Sequence, residues 1–211
     1  FSDGRRRYLF GWVPTKENDD DLQNWQWGGT LVVHEVHQRA DGSLGVSIPE
    51  GVASAFAKKT SLIASPLTLS SQDSRVAHTL IQTTGDLFKF EATVQFNEST
   101  RAFGVRLFED EATGDAYEFI IQLNEHRLIF DRTPNLPWYR NMNKGLERPL
   151  HLQPNRDYTL QLIVDDTIAT LYIDGVALNT RMYAKAGQAL SIYAVDGALT
   201  VQTVTLETGL K

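Results

Sequence analysis

Residues 88–96 read FKFEATVQF, an almost perfect alternation of apolar and polar side chains. Successive side chains of a strand point to opposite faces, so this stretch predicts a strand with one buried face and one solvated face. The same alternation recurs in residues 103–108, 158–164, 168–173 and 201–206. Repeated strands of this kind are typical of antiparallel sheets.

Turn signals separate these segments. The pairs Asp41-Gly42, Asp174-Gly175 and Asp196-Gly197 favour tight hairpins, because glycine readily adopts the positive φ that such turns require. No long helix is predicted. Short strands joined by such turns predict an all-β chain with an antiparallel two-sheet β-sandwich of the concanavalin-like jelly-roll type.

The composition excludes several classes of function. The chain has 211 residues, of which 42% are hydrophobic and 22% charged, and its formal net charge is -6. This charge and the lack of a long basic run argue against a nucleic-acid partner. The absence of cysteine excludes disulfides and thiolate chemistry. No apolar run reaches about 18 residues, so no transmembrane helix and no membrane partner are expected. The lack of a visible signal peptide does not fix the compartment, which stays open between secreted and cytoplasmic.

Three N-terminal segments carry a recognisable order of motifs. Residues 4–14 read GRRRYLFGWVP, residues 25–35 read WQWGGTLVVHE, and residues 41–46 read DGSLGV. This order resembles the last propeller strands of glycoside hydrolase family 32, the β-fructosidase family of invertases, levanases and inulinases. Members of that family carry a motif like G-R-R-x-L-F-G-W, a tryptophan-glycine segment and a D-G-x-L hairpin just before a C-terminal β-sandwich.

The second half of the chain also resembles the sandwich of that family. Residues 103–108 (FGVRLF) are similar to its G-L-x-L-R strand, and residues 128–132 (LIFDR) to its L-x-x-D-R strand. Residues 162–175 resemble its V-D-x-S hairpin, although Thr170 stands where a glutamate is common. Residues 180–183 (TRMY) match its T-x-R-x-(F/Y) segment.

The catalytic motifs of the family are absent from this chain. The family nucleophile lies in W-x-N-D-P-N-G, but Asn18-Asp19 is followed here by Asp20. The stabilising aspartate lies in R-D-P, but Arg156-Asp157 is followed by a tyrosine, and the E-C of the general acid cannot occur without cysteine. A retaining glycosidase needs two carboxyl groups about 5 Å apart. We therefore assign no catalytic residue, and whether the chain alone is an enzyme stays open.

A domain boundary is predicted near residue 50, where Ile48-Pro49-Glu50-Gly51 has the composition of a connection. Residues 1–50 would supply the last strands of a β-propeller and a linker, and residues 51–211 the C-terminal sandwich. Two or three strands are too few to bury a face alone. They must therefore pack on the sandwich or on a propeller that lies outside this chain.

Trp25 and Trp27 are the first candidate carbohydrate-binding residues. They are two positions apart, so a strand would place both on one face, where they could stack on a sugar ring. The alternative is that they pack in the propeller or at an interface, since tryptophan buries a large area.

The other candidates surround a long loop: Asp131, Arg132, Trp138, Tyr139 and Glu147. Loops on a rigid sandwich often carry binding sites. The resemblance adds that related sandwich modules exist as free-standing fructan-binding domains, which hold a terminal fructose with acidic and aromatic side chains. The alternative is a loop that packs on the propeller.

No metal site and no cofactor are predicted. His34 and His37 do not share a face of a strand, and further zinc ligands are not indicated. Residues 19–21 (DDD) and the acidic residues of 109–115 could offer oxygen atoms to calcium, but neither has a known calcium-loop order. We expect both segments to be solvated loops.

Three functions remain open. The resemblance implies the non-catalytic C-terminal part of an enzyme that acts on β-fructosides such as sucrose or fructan, with the propeller as its partner. A second possibility is a stand-alone fructan-binding module, whose partner is the carbohydrate. A third is a structural subunit that docks on a separate catalytic chain.

Overall fold

The computed structural model describes residues 1–135 and 146–210. In this part of the chain, regular structure is almost entirely strand, and the only helices are α1 (Glu50–Ala53) and a single 3₁₀ turn at Glu17–Asp19. The strands are β1 (Arg7–Lys16), β2 (Trp25–Gln38), β3 (Leu44–Ser47), β4 (Phe56–Ser61), β5 (Leu67–Ile81), β6 (Leu87–Phe96), β7 (Ala102–Asp110), β8 (Asp115–Gln122), β9 (Arg127–Thr133), β10 (Glu147–Pro149), β11 (Asp157–Asp165), β12 (Ile168–Ile173), β13 (Val176–Arg181) and β14 (Ala189–Leu210).

Strand β14 belongs to both layers of a sandwich. Its first part pairs with β7 and the end of β5, and its second part pairs with β6, β4 and the start of β5. The change occurs at Asp196 and Gly197, where the register shifts and both residues have positive φ. A Cβ on Gly197 would overlap the backbone nitrogen of Thr100, so this position requires glycine.

Two antiparallel layers result from this bend. The first layer has the order β10-β9-β8-β7-β14-β5, and the second has the order β13-β12-β11-β6-β14, with β4 and the start of β5 also paired to β14. Side chains that alternate along each strand meet between the layers, and Phe88, Phe90, Leu160, Leu162 and Leu190 are fully buried there. The prediction of an all-β antiparallel sandwich from residues 88–96 and their repeats is thereby confirmed.

A separate three-stranded antiparallel sheet, β1-β2-β3, precedes the sandwich and is called here the N-terminal sheet. It lies on the outer face of the second layer. Strand β12 is consequently buried on both faces: Leu171 points into the sandwich core, and Tyr172 lies under His34 of β2. The division of the chain at residue 50 stays a prediction, although α1 follows β3 at this point.

Candidate functional site

Asp21 attaches the loop between β1 and β2 to the sandwich. Its side chain is 3% exposed and accepts a hydrogen bond from the Tyr117 hydroxyl. The carboxylate also accepts bonds from Arg132 Nη1 at 3.3 Å and from the backbone N–H groups of Tyr183 at 3.2 Å and Ala184 at 3.3 Å. Burial raises the pKa of Tyr117, and the Asp21 charge raises it further, so this hydroxyl stays a donor. The expected solvated loop at residues 19–21 is therefore wrong for Asp21.

Arg181 forms a second connection between the N-terminal sheet and the sandwich. Its guanidinium donates to the carbonyl oxygens of Val13 at 3.0 Å and Pro14 at 3.1 Å, both on β1. It also donates to the hydroxyl groups of Thr30 on β2 at 3.1 Å and Thr167 at 2.9 Å. A buried guanidinium with four acceptors fixes the relative position of the elements that supply them.

His34 forms the third connection. Its Nδ1 lies 2.8 Å from the Tyr172 hydroxyl, and its Nε2 lies 3.3 Å from Asn179 Nδ2. Asp21, Arg181 and His34, with the groups that they contact, are called here the docking interface. Buried polar groups of this kind are costly unless they are paired, so the interface specifies one orientation of the N-terminal sheet.

Trp25 and Trp27 have different surroundings. Trp25 lines a cleft of about 260 Å³ between the N-terminal sheet and the sandwich, and Lys16 Nζ lies 4.5 Å from its ring centroid. Arg148 lines the same cleft. Trp27 is 94% exposed. Of the pair, only Trp25 lines this cleft.

The remaining candidates are spread over both faces of β9. Asp131 accepts a bond from Asn135 Nδ2 at 2.7 Å, whereas Arg132 points to Asp21. Arg132 also lines a separate cleft of about 340 Å³, and Glu147 is exposed on β10, where it binds Arg127 at 2.7 Å. Trp138 and Tyr139 lie outside the described residues. That these side chains bind carbohydrate stays a prediction, and the described ones do not converge on one site.

A set of acidic and basic side chains lies on the outer face of the first layer and is called here the charged network: Arg75, Arg106, Glu109 and Glu118. Arg75 donates two bonds to Glu118, at 2.8 and 2.9 Å, and Arg106 Nε donates a third at 3.1 Å. Burial alone would raise the pKa of Glu118, but the bonds and charge of Arg75 and the charge of Arg106 outweigh it. The pKa of Glu118 therefore lies below its ordinary value.

The rest of the charged network is also paired. Arg106 forms an ion pair with Glu109, and Glu109 accepts a bond from the Ser191 hydroxyl. Because Glu109 is buried, the expectation of a solvated loop at residues 109–115 is wrong at its first residue. The Arg75 guanidinium covers the fully buried ring of Tyr193, 4.2 Å from its centroid.

The sequence contained only partial signals for these residues. Arg181 belongs to the TRMY segment, and Arg106 interrupts the apolar run of residues 103–108. Alternation alone predicts that Arg106 faces solvent, because it does not reveal what covers the outer face of a sheet. Asp21 carries no signal beyond its place in an acidic run.

Within residues 1–135 and 146–210, no three or more histidine, cysteine, aspartate or glutamate side chains cluster as a metal site would require. None of the helices in that part of the chain is long and apolar enough to cross a membrane.

One comparison with known proteins identifies a family. The family model described as glycosyl hydrolases family 32 C terminal matches residues 55–208. A search of curated proteins finds no match. Among solved structures, fructan 1-exohydrolase IIa from Cichorium intybus superposes with a TM-score of 0.72 at 11% identity, covering 100% of this chain and 47% of that one.

Two further structures are similar in fold. Sucrose-6-phosphate hydrolase from Lactobacillus gasseri superposes with a TM-score of 0.61 at 16% identity, covering 94% of this chain and 38% of that one. The carbohydrate-binding module CBM66 from Bacillus subtilis gives a TM-score of 0.51 at 12% identity, covering 72% of this chain and 97% of that one. The chain thus spans less than half of the two enzymes. With the family model matching most of its length, this chain belongs to the C-terminal domain family of the family 32 glycosyl hydrolases.

Proposed function

We propose that this chain is the non-catalytic C-terminal part of an enzyme that acts on β-fructosides, and that it packs on and supports a catalytic propeller. The sequence carries none of the three catalytic motifs of the family. The two similar enzymes are each more than twice as long as the part that this chain matches. Their activities on sucrose phosphate and fructan make a β-fructoside the expected substrate class of the whole protein.

The observation that carries the proposal is the outer face of the N-terminal sheet. The opposite face docks on the sandwich, but Phe10, Trp12 and Leu31 on the outer face are 53%, 56% and 61% exposed. Trp12 is paired across the strands with Leu31, and Phe10 with Val33, so these side chains form a continuous row. An apolar row of this kind on a solvated face marks a packing surface. The row fits the neighbouring strands of a propeller.

Replacing Trp12 and Leu31 together with lysine tests this surface. We expect the wild-type chain to associate progressively with concentration, and the double variant to remain monomeric with a urea midpoint close to that of the wild type, because both side chains are more than half exposed. Light scattering after size exclusion gives the mass. Leu44→Lys is the matched control, since Leu44 is 69% exposed in the same sheet but lies outside the row.

Two results would contradict the proposal. A discrete dimer held by the row would make a second copy of this chain its occupant. The second result is a wild-type chain that stays monomeric while the double variant loses several kcal/mol of stability. The row would then already have a structural partner. Binding of the row to a separately produced propeller chain would instead favour a docking subunit.

A second candidate function, a carbohydrate-binding module, is favoured by the charged network and by the likeness to CBM66. Guanidinium and carboxylate groups on one rigid face can donate to and accept from sugar hydroxyls. Most of these groups are buried and satisfied by one another, but the Arg75 side chain is 40% exposed. Calorimetric titration with levan, inulin and fructose distinguishes the candidates. Arg101→Ala, which replaces an exposed arginine elsewhere, is the control. The carbohydrate-binding module is favoured if Arg75→Ala weakens binding and Arg101→Ala does not.

A further inference from the structure

His34 is the one titratable imidazole that lies inside the docking interface among the described residues. It is 4% exposed, whereas His37, on the same strand, is exposed. Both of its ring nitrogens are engaged by the sandwich, through Tyr172 of β12 and Asn179 of β13. The ring thus lies where the N-terminal sheet must separate from the sandwich if the two move apart.

The hydrogen bonds around His34 favour the neutral ring. Asn179 Oδ1 accepts from the Thr170 hydroxyl at 2.9 Å, so the amide presents its NH₂ group to His34. Nε2 must then accept, and Nδ1 donates to the Tyr172 hydroxyl. A second proton on Nε2 would place two donors against each other. The Asn179 amide would then have to turn over, at the expense of its bond from Thr170.

No carboxylate is placed to compensate a charge on His34 among the described contacts. Glu35 points to the opposite face of β2 and is paired with Arg6 at 3.5 Å. From β13, the charged group on the same face is the Arg181 cation, and β12 presents the Tyr172 hydroxyl. On β1, Leu9 is paired opposite His34 and Gly11 is its next neighbour on that face. Each neighbour is therefore neutral or positive.

We propose that His34 makes docking of the N-terminal sheet on the sandwich sensitive to acid, so that the sheet is held firmly at neutral pH and loosens below pH 6. These contacts lie within the chain, so the acid sensitivity does not depend on which function the chain serves. It follows from the position of the ring between the two units and from the lack of an acceptor for a second proton.

The direction follows from proton linkage. Burial lowers the pKa of His34 below its ordinary value of about 6.5. The undocked form therefore binds the proton more readily, and stability that is fully present above pH 6.5 is lost as the pH falls towards the docked pKa. If the docked ring remains neutral at pH 5, the undocked population rises by up to about 30-fold between pH 8 and pH 5.

Hydrogen exchange of the whole chain tests the proposal. Rates for amides of β1 and β2 are divided by their intrinsic rates at each pH, and amides of β6 and β11 serve as an internal reference. We expect up to about 30-fold faster normalised exchange at pH 5 than at pH 8 in the wild type. His34→Gln should bring the ratio of the normalised exchange rates at pH 5 and pH 8 close to one, whereas His37→Gln should leave this ratio unchanged.

Asn179→Asp provides an independent variant in case His34→Gln does not fold. A carboxylate beside Nε2 would stabilise the imidazolium, so the acid-induced increase should be smaller than in the wild type. The proposal is overturned if wild-type exchange of β1 and β2 differs by less than twofold between the two pH values. It is equally overturned if His34→Gln retains the wild-type ratio, or if Asn179→Asp folds and leaves that ratio unchanged.

Discussion

Replacing Asp21 with alanine is expected to destabilise the docked N-terminal sheet by about 3–5 kcal/mol, the range measured when one partner of a buried ion pair is removed. The variant leaves the Arg132 cation without the carboxylate 3.3 Å away, and it removes the acceptor of the Tyr117 hydroxyl and of the Tyr183 backbone N–H. Unpaired buried donors of this kind account for most of the cost.

Urea unfolding followed by tryptophan fluorescence measures this effect, because Trp12, Trp25 and Trp27 are three of the four tryptophans and all lie in the N-terminal segment. Asp19→Asn is the matched control: it removes an exposed carboxylate from the same loop, and asparagine tolerates the positive φ of this position, so the free energy of unfolding should change by no more than about 0.5 kcal/mol. Equal effects of the two replacements would show that Asp21 does not attach the loop to the sandwich.

Glu118→Ala is the second replacement with a large expected effect, again about 3–5 kcal/mol. It removes one of the two carboxylates that pair with Arg106 among the described residues, the carboxylate that pairs with Arg75, and the acceptor of Thr133 at 3.1 Å. Unfolding in urea at pH 7 gives the value. Glu98→Ala, which removes an exposed glutamate from a loop, should be nearly neutral.

The pH dependence of Glu118 gives a further check. Its pKa is below the ordinary value in the folded chain, so its ionised form stabilises the fold above the unfolded pKa of about 4.3. That stability is lost as the pH falls through the folded pKa. The difference in stability between wild type and Glu118→Gln should therefore shrink below pH 4, and a constant difference from pH 7 to pH 3 would contradict the ionised network.

The alternation of residues 88–96 was sufficient to predict the strand that became β6 and the sandwich around it, because period two reports local side-chain direction. It could not predict that β12 is buried on both faces, since Thr170 and Tyr172 are covered by strands more than 130 positions away in sequence. The same limit applies to the charged network. Alternation predicts that Arg106 lies on an outer face, but it does not predict that Arg75 and neighbouring loops cover this face.

The candidate site was less predictable than the fold. The tryptophan pattern predicts a role for Trp25, which lies in a cleft, but no sequence pattern shows that Arg132 turns towards Asp21 instead of towards Asp131 and Glu147. The hydrogen bond that the Tyr117 hydroxyl donates to Asp21 joins residues 96 positions apart, and no local pattern records such pairs. Polar docking contacts are therefore visible only once the chain is folded.

The most direct test of a non-catalytic role is the release of fructose from sucrose, inulin and levan by the purified chain, with the heat-denatured chain as the blank. We predict no release above that blank for any of the three, because the chain carries none of the carboxylate motifs that cleave the fructosidic bond. Release that increases with the amount of chain and is lost on heating would contradict this account.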